Sequence, residues 1–331
     1  MQQILVIRRD NIGDLVCTTP LLTALRNRYP QAWIGVLANS YNAPVLQGNA
    51  DLDAVFSYRK LKHVQGGWGE KWRALVERWR MLWRLRRRRL DLVILAAGES
   101  DQRARALAGW IAPARILSAT APRADQHEVV RVFSVARALA ITGPIPPLKL
   151  FVPEAASMAA STTHKVVLQA PVDGTAVIGV HISARRARQR WPVDRFVSLI
   201  THLQLELGVT VMLLWSPGSD SDRLHPGDDK KAQEISSRLP EKFVCQATPT
   251  QTLSALMSAL STCDAMICSD GGAMHVAAGL GKPVVCLFGD SPPDRWRPWA
   301  VPHRVLQATS RDVADIEVVQ VLQALRSLLN R

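Results

Sequence analysis

Residues 263–290 read CDAMICSDGGAMHVAAGLGKPVVCLFGD, and this stretch decides the fold. The apolar run at 265–268 is too short for a helix and has the length of a strand buried on both faces. Ser269-Asp270-Gly271-Gly272 ends it, and 274–280 then reads as a helix of small apolar residues. A second buried strand follows at 283–288 and stops at Gly289-Asp290. Strand, glycine turn, helix, strand is the unit from which parallel sheets are built.

The same alternation extends outward from this unit. Upstream in the second half, strands are expected at 176–182 and 209–215, and helices at 193–207, 232–239 and 253–260. A final helix is expected at 313–329. The first half repeats the pattern, with strands at 4–7, 33–37, 54–57, 91–96 and 115–117. Its helices fall at 20–28, 69–89, 103–110 and 128–139. Between the halves, Gly143-Pro144-Ile145-Pro146-Pro147 and Pro153 break the periodicity. The expected organisation is α/β, with two Rossmann-like doubly wound domains facing a central cleft: 1–155, a linker at 156–175, and 176–310. Residues 311–331 form a closing helix free to pack back on the first domain. A length of 331 residues suits two such domains.

Composition narrows the function. The opening MQQILVIRRDNIGD lacks the long apolar core of a signal peptide, and no uninterrupted apolar stretch reaches the ~18 residues of a membrane span. Cys17, Cys245, Cys263, Cys268 and Cys286 have neither zinc-site spacing nor disulfide density, so they are expected as reduced thiols in a cytoplasmic protein. The net charge of +13 admits three partners: nucleic acid, an anionic membrane face, or phosphorylated substrates.

Three motifs each follow a strand. Gly13-Asp14, in DNIGDLVCTTP, comes directly after the first strand. Asp14 is either a carboxylate aimed at the cleft or a cap on the next helix. In SDGGAMHVAAGLGKP, Gly271 and Gly272 leave amides open at a helix N-terminus, an anion site, with His275 in the first turn. HISARRARQRWP sets Arg185, Arg186, Arg188 and Arg190 ahead of Trp191-Pro192, where they face an anion or simply solvent. No P-loop or G-x-G-x-x-G fingerprint occurs, which weighs against ATPase and dehydrogenase chemistry. Asp220 and Asp222 have D-x-D spacing but lie in a polar loop, and no metal-ligand cluster is expected.

Taken in order, these motifs resemble glycosyltransferase family 9, the ADP-heptose:lipopolysaccharide heptosyltransferases. The likeness runs through ILVIRRDNIGDLVCTTPLLTALRNRYP, LDLVILAAG, HEVVRVFSVARAL, IGVHISARRARQRWPVDRF and SDGGAMHVAAGLGKPVVCLFG. It implies a GT-B fold, inverting transfer in one displacement, and no required cofactor beyond a nucleotide-sugar co-substrate, ADP-heptose. It makes Asp14 the general base. Donor contacts fall to Ser183, Arg188, Gln189, Arg190, Asp270, Gly271, Gly272, Ala273, Met274 and His275. Gly13, Arg84 and Arg87 are expected at a lipopolysaccharide core or lipid A-linked acceptor. The family's lysine two residues before Trp-Pro is Gln189 here, with Arg188 or Arg190 as possible replacements for its charge. Two alternatives keep the fold: a protein-modifying transferase and a catalytically silent nucleotide-sugar-binding protein.

The segment 69–89 stands apart. Trp72, Trp79 and Trp83 fall on one helical face with Leu75, Val76 and Leu82, while Arg73, Arg80, Arg84 and the run 86–89 carry charge. Either the tryptophans pack on the first-domain sheet, or the helix lies on the cytoplasmic face of the inner membrane. No nucleic-acid module is recognised, so nucleic acid is not expected as a partner.

Overall fold

A computed structural model describes residues 1–58, 67–123, 125–152, 174–222, 226–241, 243 and 245–329. The chain divides into two units, Met1–Phe151 and Val152–Arg331. The expected linker lies, but for residues 174 and 175, outside the described residues.

In the first unit, strands β1 (Gln3–Ile7), β2 (Trp33–Asn39), β3 (Ala54–Tyr58), β4 (Leu92–Leu95) and β5 (Arg115–Ser118) form a parallel sheet in the order β3-β2-β1-β4-β5. Ile4 to Ile7 and Leu92 to Leu95 are buried on both faces, as a parallel sheet covered by helices requires. The helices are α1 (Ile12–Val16), α2 (Thr19–Arg28), α3 (Trp68–Arg87), α4 (Gln102–Ile111) and α5 (Glu128–Ala138).

The second unit holds β6 (Val177–His181), α6 (Val193–Leu207), β7 (Thr210–Trp215), α7 (Asp229–Arg238), β8 (Cys245–Pro249) and α8 (Leu253–Ser261). It continues with β9 (Ala265–Ser269), α9 (Gly272–Gly279), β10 (Val284–Phe288), α10 (Pro293–Trp296), β11 (His303–Gln307) and α11 (Val318–Leu329). Its strands are parallel in the order β11-β10-β9-β6-β7-β8. The outermost pair, β8 and β11, is missing from the sequence reading. Edge strands carry polar residues, as in CQATP and HRVLQ, and show no continuous apolar run. The closing helix α11, which sequence left free to return to the first domain, puts Val321, Leu322 and Leu325 into the second unit's own core.

In each sheet the chain reverses direction once, between β1 and β4 and between β6 and β9. Ligands of doubly wound folds bind beyond the carboxyl ends of the strands at such points. All three sequence motifs sit there.

Helix α3 corrects an expectation. Its buried residues are Met81, Leu82 and Leu85, which join the core with Leu107 and Ile111 of α4. The tryptophans do not pack on the sheet: Trp68, Trp72, Trp79 and Trp83 are 93%, 68%, 55% and 53% exposed. Leucine and methionine fill the closely packed space between helix and sheet, leaving the bulkier indoles outside.

Candidate functional site

The first-unit site is built around Arg8. Arg8 follows β1 without a spacer and is fully buried. Its Nη1 donates to the Ala96 carbonyl at 2.7 Å, at the end of the neighbouring strand. Its Nη2 reaches Asp14 Oδ1 at 2.5 Å, Glu128 Oε1 at 2.8 Å and Asp10 Oδ2 at 3.2 Å. Burial disfavours the Arg8 cation, but Asp14, Asp10 and Glu128 outweigh it and raise its pKa above the ordinary value. Arg131 lies beyond, donating through Nη2 to Glu128 Oε1 at 2.6 Å and to Ala96 O at 3.0 Å. Burial pushes the Glu128 carboxyl upward, yet hydrogen bonds from Arg131 and the charges of Arg8 and Arg131 bring it down to about 2.

Of the two roles that sequence left open for Asp14, the structure describes the cap on α1. Its Oδ2 accepts from the Asn11 backbone N–H at 3.2 Å and the Asn11 side-chain amide at 3.0 Å, which caps α1. Its Oδ1 takes Arg8, and the residue is only 7% exposed. A carboxylate has about four lone-pair positions, so after these three bonds room for one more hydrogen bond remains. Asp10 is the more exposed acid of the cluster; burial raises its pKa, Arg8 opposes this, and Asp14, Asp101 and Glu128 add to it. Counting Asp10, Asp14 and Glu128 against Arg8 and Arg131, negative charge is in surplus.

Beside it, Arg9 donates to the Tyr58 hydroxyl and to Asp101 Oδ1 at 3.1 Å, joining the ends of β1, β3 and β4. Gly13 is buried within α1. Arg84 and Arg87, expected at the acceptor, are not near this cluster. Helix α3 runs antiparallel to the strands, so its last turn lies at their amino ends. There Arg88 sits 3.9 Å over the Trp33 ring and donates to Gln3, at the starts of β2 and β1. Arg8, Asp10, Glu128 and Arg131 escape a motif search. The available signal was charge in apolar surroundings: an arginine straight after a buried strand, and a Glu–Arg pair at i,i+3 among Val129, Val132 and Phe133.

The second-unit site is the N-terminus of α9. Gly271 is exposed, and a Cβ there would meet nothing within 4 Å. Gly272 and Ala273 are half-buried, whereas Met274 and His275 face inward. His275 stacks edge-on against Trp296 at 6.0 Å. Asp270, just ahead of the glycines, accepts from Gln189 Nε2 at 3.0 Å. Its pKa is raised by burial, against the Ser291 hydrogen bond and the charge of Arg186.

Gln189 itself is buried and also donates to Ser291 Oγ at 3.3 Å, so it locks the arginine loop to the β9 and β10 ends. Gly289 allows the close approach, since a Cβ there would lie 2.4 Å from the Arg188 carbonyl oxygen. Trp191 pins the other end of the loop, donating Nε1–H to Ile316 O at 3.0 Å and stacking on Phe196. Of the two arginines expected to replace the missing lysine charge, Arg190 is turned inward to buried Asp228 and the Ala184 carbonyl. Arg188 is exposed. Arg186, 3.4 Å from Asp290, is the cation whose charge acts on Asp270. Ser183 accepts from the Ser216 amide at 2.9 Å, and neighbouring His181 is lowered to about 4 by burial and Lys231.

Residues 78–325 match the family model described as glycosyltransferase family 9 (heptosyltransferase). Lipopolysaccharide heptosyltransferase 3 of Escherichia coli K12 is 24% identical over 87% of this chain and 82% of its own length. The solved family 9 glycosyl transferase of Veillonella parvula superposes with a TM-score of 0.82 at 21% identity, covering 99% of this chain and 97% of that one. The E. coli ADP-heptose lipopolysaccharide heptosyltransferase II gives 0.76 at 22%, covering 100% and 99%.

Proposed function

Because this chain belongs to glycosyltransferase family 9, the heptosyltransferase family, and is a glycosyltransferase of GT-B fold, we propose that it transfers heptose from ADP-heptose to a lipopolysaccharide core acceptor with inversion. The acceptor is carried on the cytoplasmic face of the inner membrane. Among the described residues no helix is long and apolar enough to cross a membrane.

The observation that carries this reading is the carboxylate cluster around Arg8, at the point where the first sheet reverses. Asp14 takes the proton of an acceptor hydroxyl as its oxygen attacks the anomeric carbon. The bond from that carbon to the diphosphate breaks, and ADP leaves with the electron pair. Fixed by Arg8 and Asn11, the carboxylate needs no reorganisation to act. Negative charge developing on the diphosphate meets the open amides at Gly271 to Ala273, with Arg186 and Arg188 as the adjoining cations. Asp270, held by Gln189, is placed to accept from sugar hydroxyls.

The test is ADP release from ADP-heptose, with and without heptose-deficient core oligosaccharide. Asp14→Asn should lower acceptor-dependent release by about 10²–10⁴ while nucleotide binding persists. Release at the wild-type rate would remove Asp14 from the mechanism.

A further inference from the structure

The four tryptophans of α3 are the only exposed ones among the described residues. At about 100° per residue they share an arc of about 60°, with half-buried Leu75 and Val76 on its flanks. Arg73, Arg80, Arg84 and Arg87, all exposed, fill the next arc, and Met81 and Leu85 point oppositely into the core. The helix carries seven basic and two acidic residues, Glu70 and Glu77. Trp79 meets Trp110 of α4 edge-on at 5.1 Å, and Arg86 lies 5.7 Å from the same ring, so the patch continues onto α4. Arg87 covers the Trp83 ring at 4.5 Å.

Four exposed indoles side by side on one helix face mark an interaction site. We propose that this face of α3 docks on an anionic lipid bilayer, with the indoles at headgroup depth and the arginine arc on lipid phosphates. Tryptophan favours that depth because its ring is apolar and its N–H is polar. The indole arc is bordered by aliphatic Leu75 and Val76, the arginine arc lies beside it, and of the arginines only Arg86, near the Trp110 ring, falls within it. A contiguous indole and aliphatic arc beside a basic arc suits a helix lying flat in an interface. The proposal rests on the reading above only in naming which membrane the face meets.

The test uses the full chain and sedimentation with vesicles, either phosphatidylcholine alone or equal parts phosphatidylcholine and phosphatidylglycerol. Neither contains a sugar acceptor. Wild type should sediment with the anionic vesicles alone, release with rising salt, and shift its tryptophan emission to the blue. Trp68→Ser/Trp72→Ser/Trp83→Ser and Arg73→Gln/Arg80→Gln should each weaken binding at least tenfold with unchanged circular dichroism. Only the arginine variant should keep a blue shift at high lipid. Equal binding to both vesicles, wild-type binding by both variants, or retention on single-stranded DNA without vesicle binding would overturn the proposal. Transfer to a soluble core acceptor is read in parallel. A wild type that transfers heptose but does not bind vesicles sinks the surface alone, and a wild type that binds vesicles but does not transfer sinks the functional reading alone.

Discussion

Glu128→Gln probes the charge cluster that holds Asp14. Glu128 is fully buried and bonded to Arg8 and Arg131, and its pKa falls from 4.5 to about 2. A shift of that size corresponds to about 3 kcal/mol of stability at neutral pH. It agrees with the ~3–5 kcal/mol for breaking one side of a buried ion pair. After the change Arg8 keeps Asp10 and Asp14, but Arg131 is left with the Ala96, Ala97 and Thr120 carbonyls. For a unit of this size the melting transition should drop by about 6–12 °C. The carboxyl is depressed in the folded state, so its contribution is complete above about pH 4.5 and disappears as pH falls through about 2. Wild type should lose this increment in that window, and the variant should not. Chemical denaturation across pH measures both quantities. Adding Arg131→Met should recover part of the loss, because no orphan charge remains. A cost below about 1 kcal/mol, or identical acid profiles for variant and wild type, would refute the account.

Three further outcomes follow from the second unit. Gln189→Lys puts a cation against Asp270 and the diphosphate position, and titration calorimetry should show ADP binding tightened about tenfold; unchanged affinity would mean that Arg186 already supplies the charge. Gly289→Ala drives a methyl into the Arg188 carbonyl, so ADP affinity should fall while the strands stay folded by circular dichroism. His181 is neutral when folded, with its pKa lowered from 6.5 to about 4. Its contribution of about 3 kcal/mol is therefore complete above pH 6.5 and lost as pH falls toward 4, a loss that His181→Asn should abolish in thermal melts.

Local pattern carried much of this protein. Runs such as Ile4 to Ile7 and Val284 to Phe288 declare buried strands in any context, and the Asp270-Gly271-Gly272 turn before a helix declares an open amide pocket. The motif order carried the family. Periodicity also marked α3 as amphipathic, with Leu82 on the tryptophan face, but did not say whether that face turns inward or out. Packing against β3 and α4 chose the leucines, and so turned the tryptophans outward.

Tertiary structure alone decided the charges. Arg8 and Glu128 are 120 positions apart, and Arg190 and Asp228 are 38 apart. No spacing rule joins them; the first turn of α5 lies at the ends of β1 and β4, where Arg8 and Arg131 share the Ala96 carbonyl, and β6 and β7 end side by side. A buried charge takes whichever opposite charge the fold brings within reach, since leaving it unpaired costs several kcal/mol. Residue types and their order therefore named the chemistry from sequence, while the partner of each ionised group followed from which chain ends the sheets bring together.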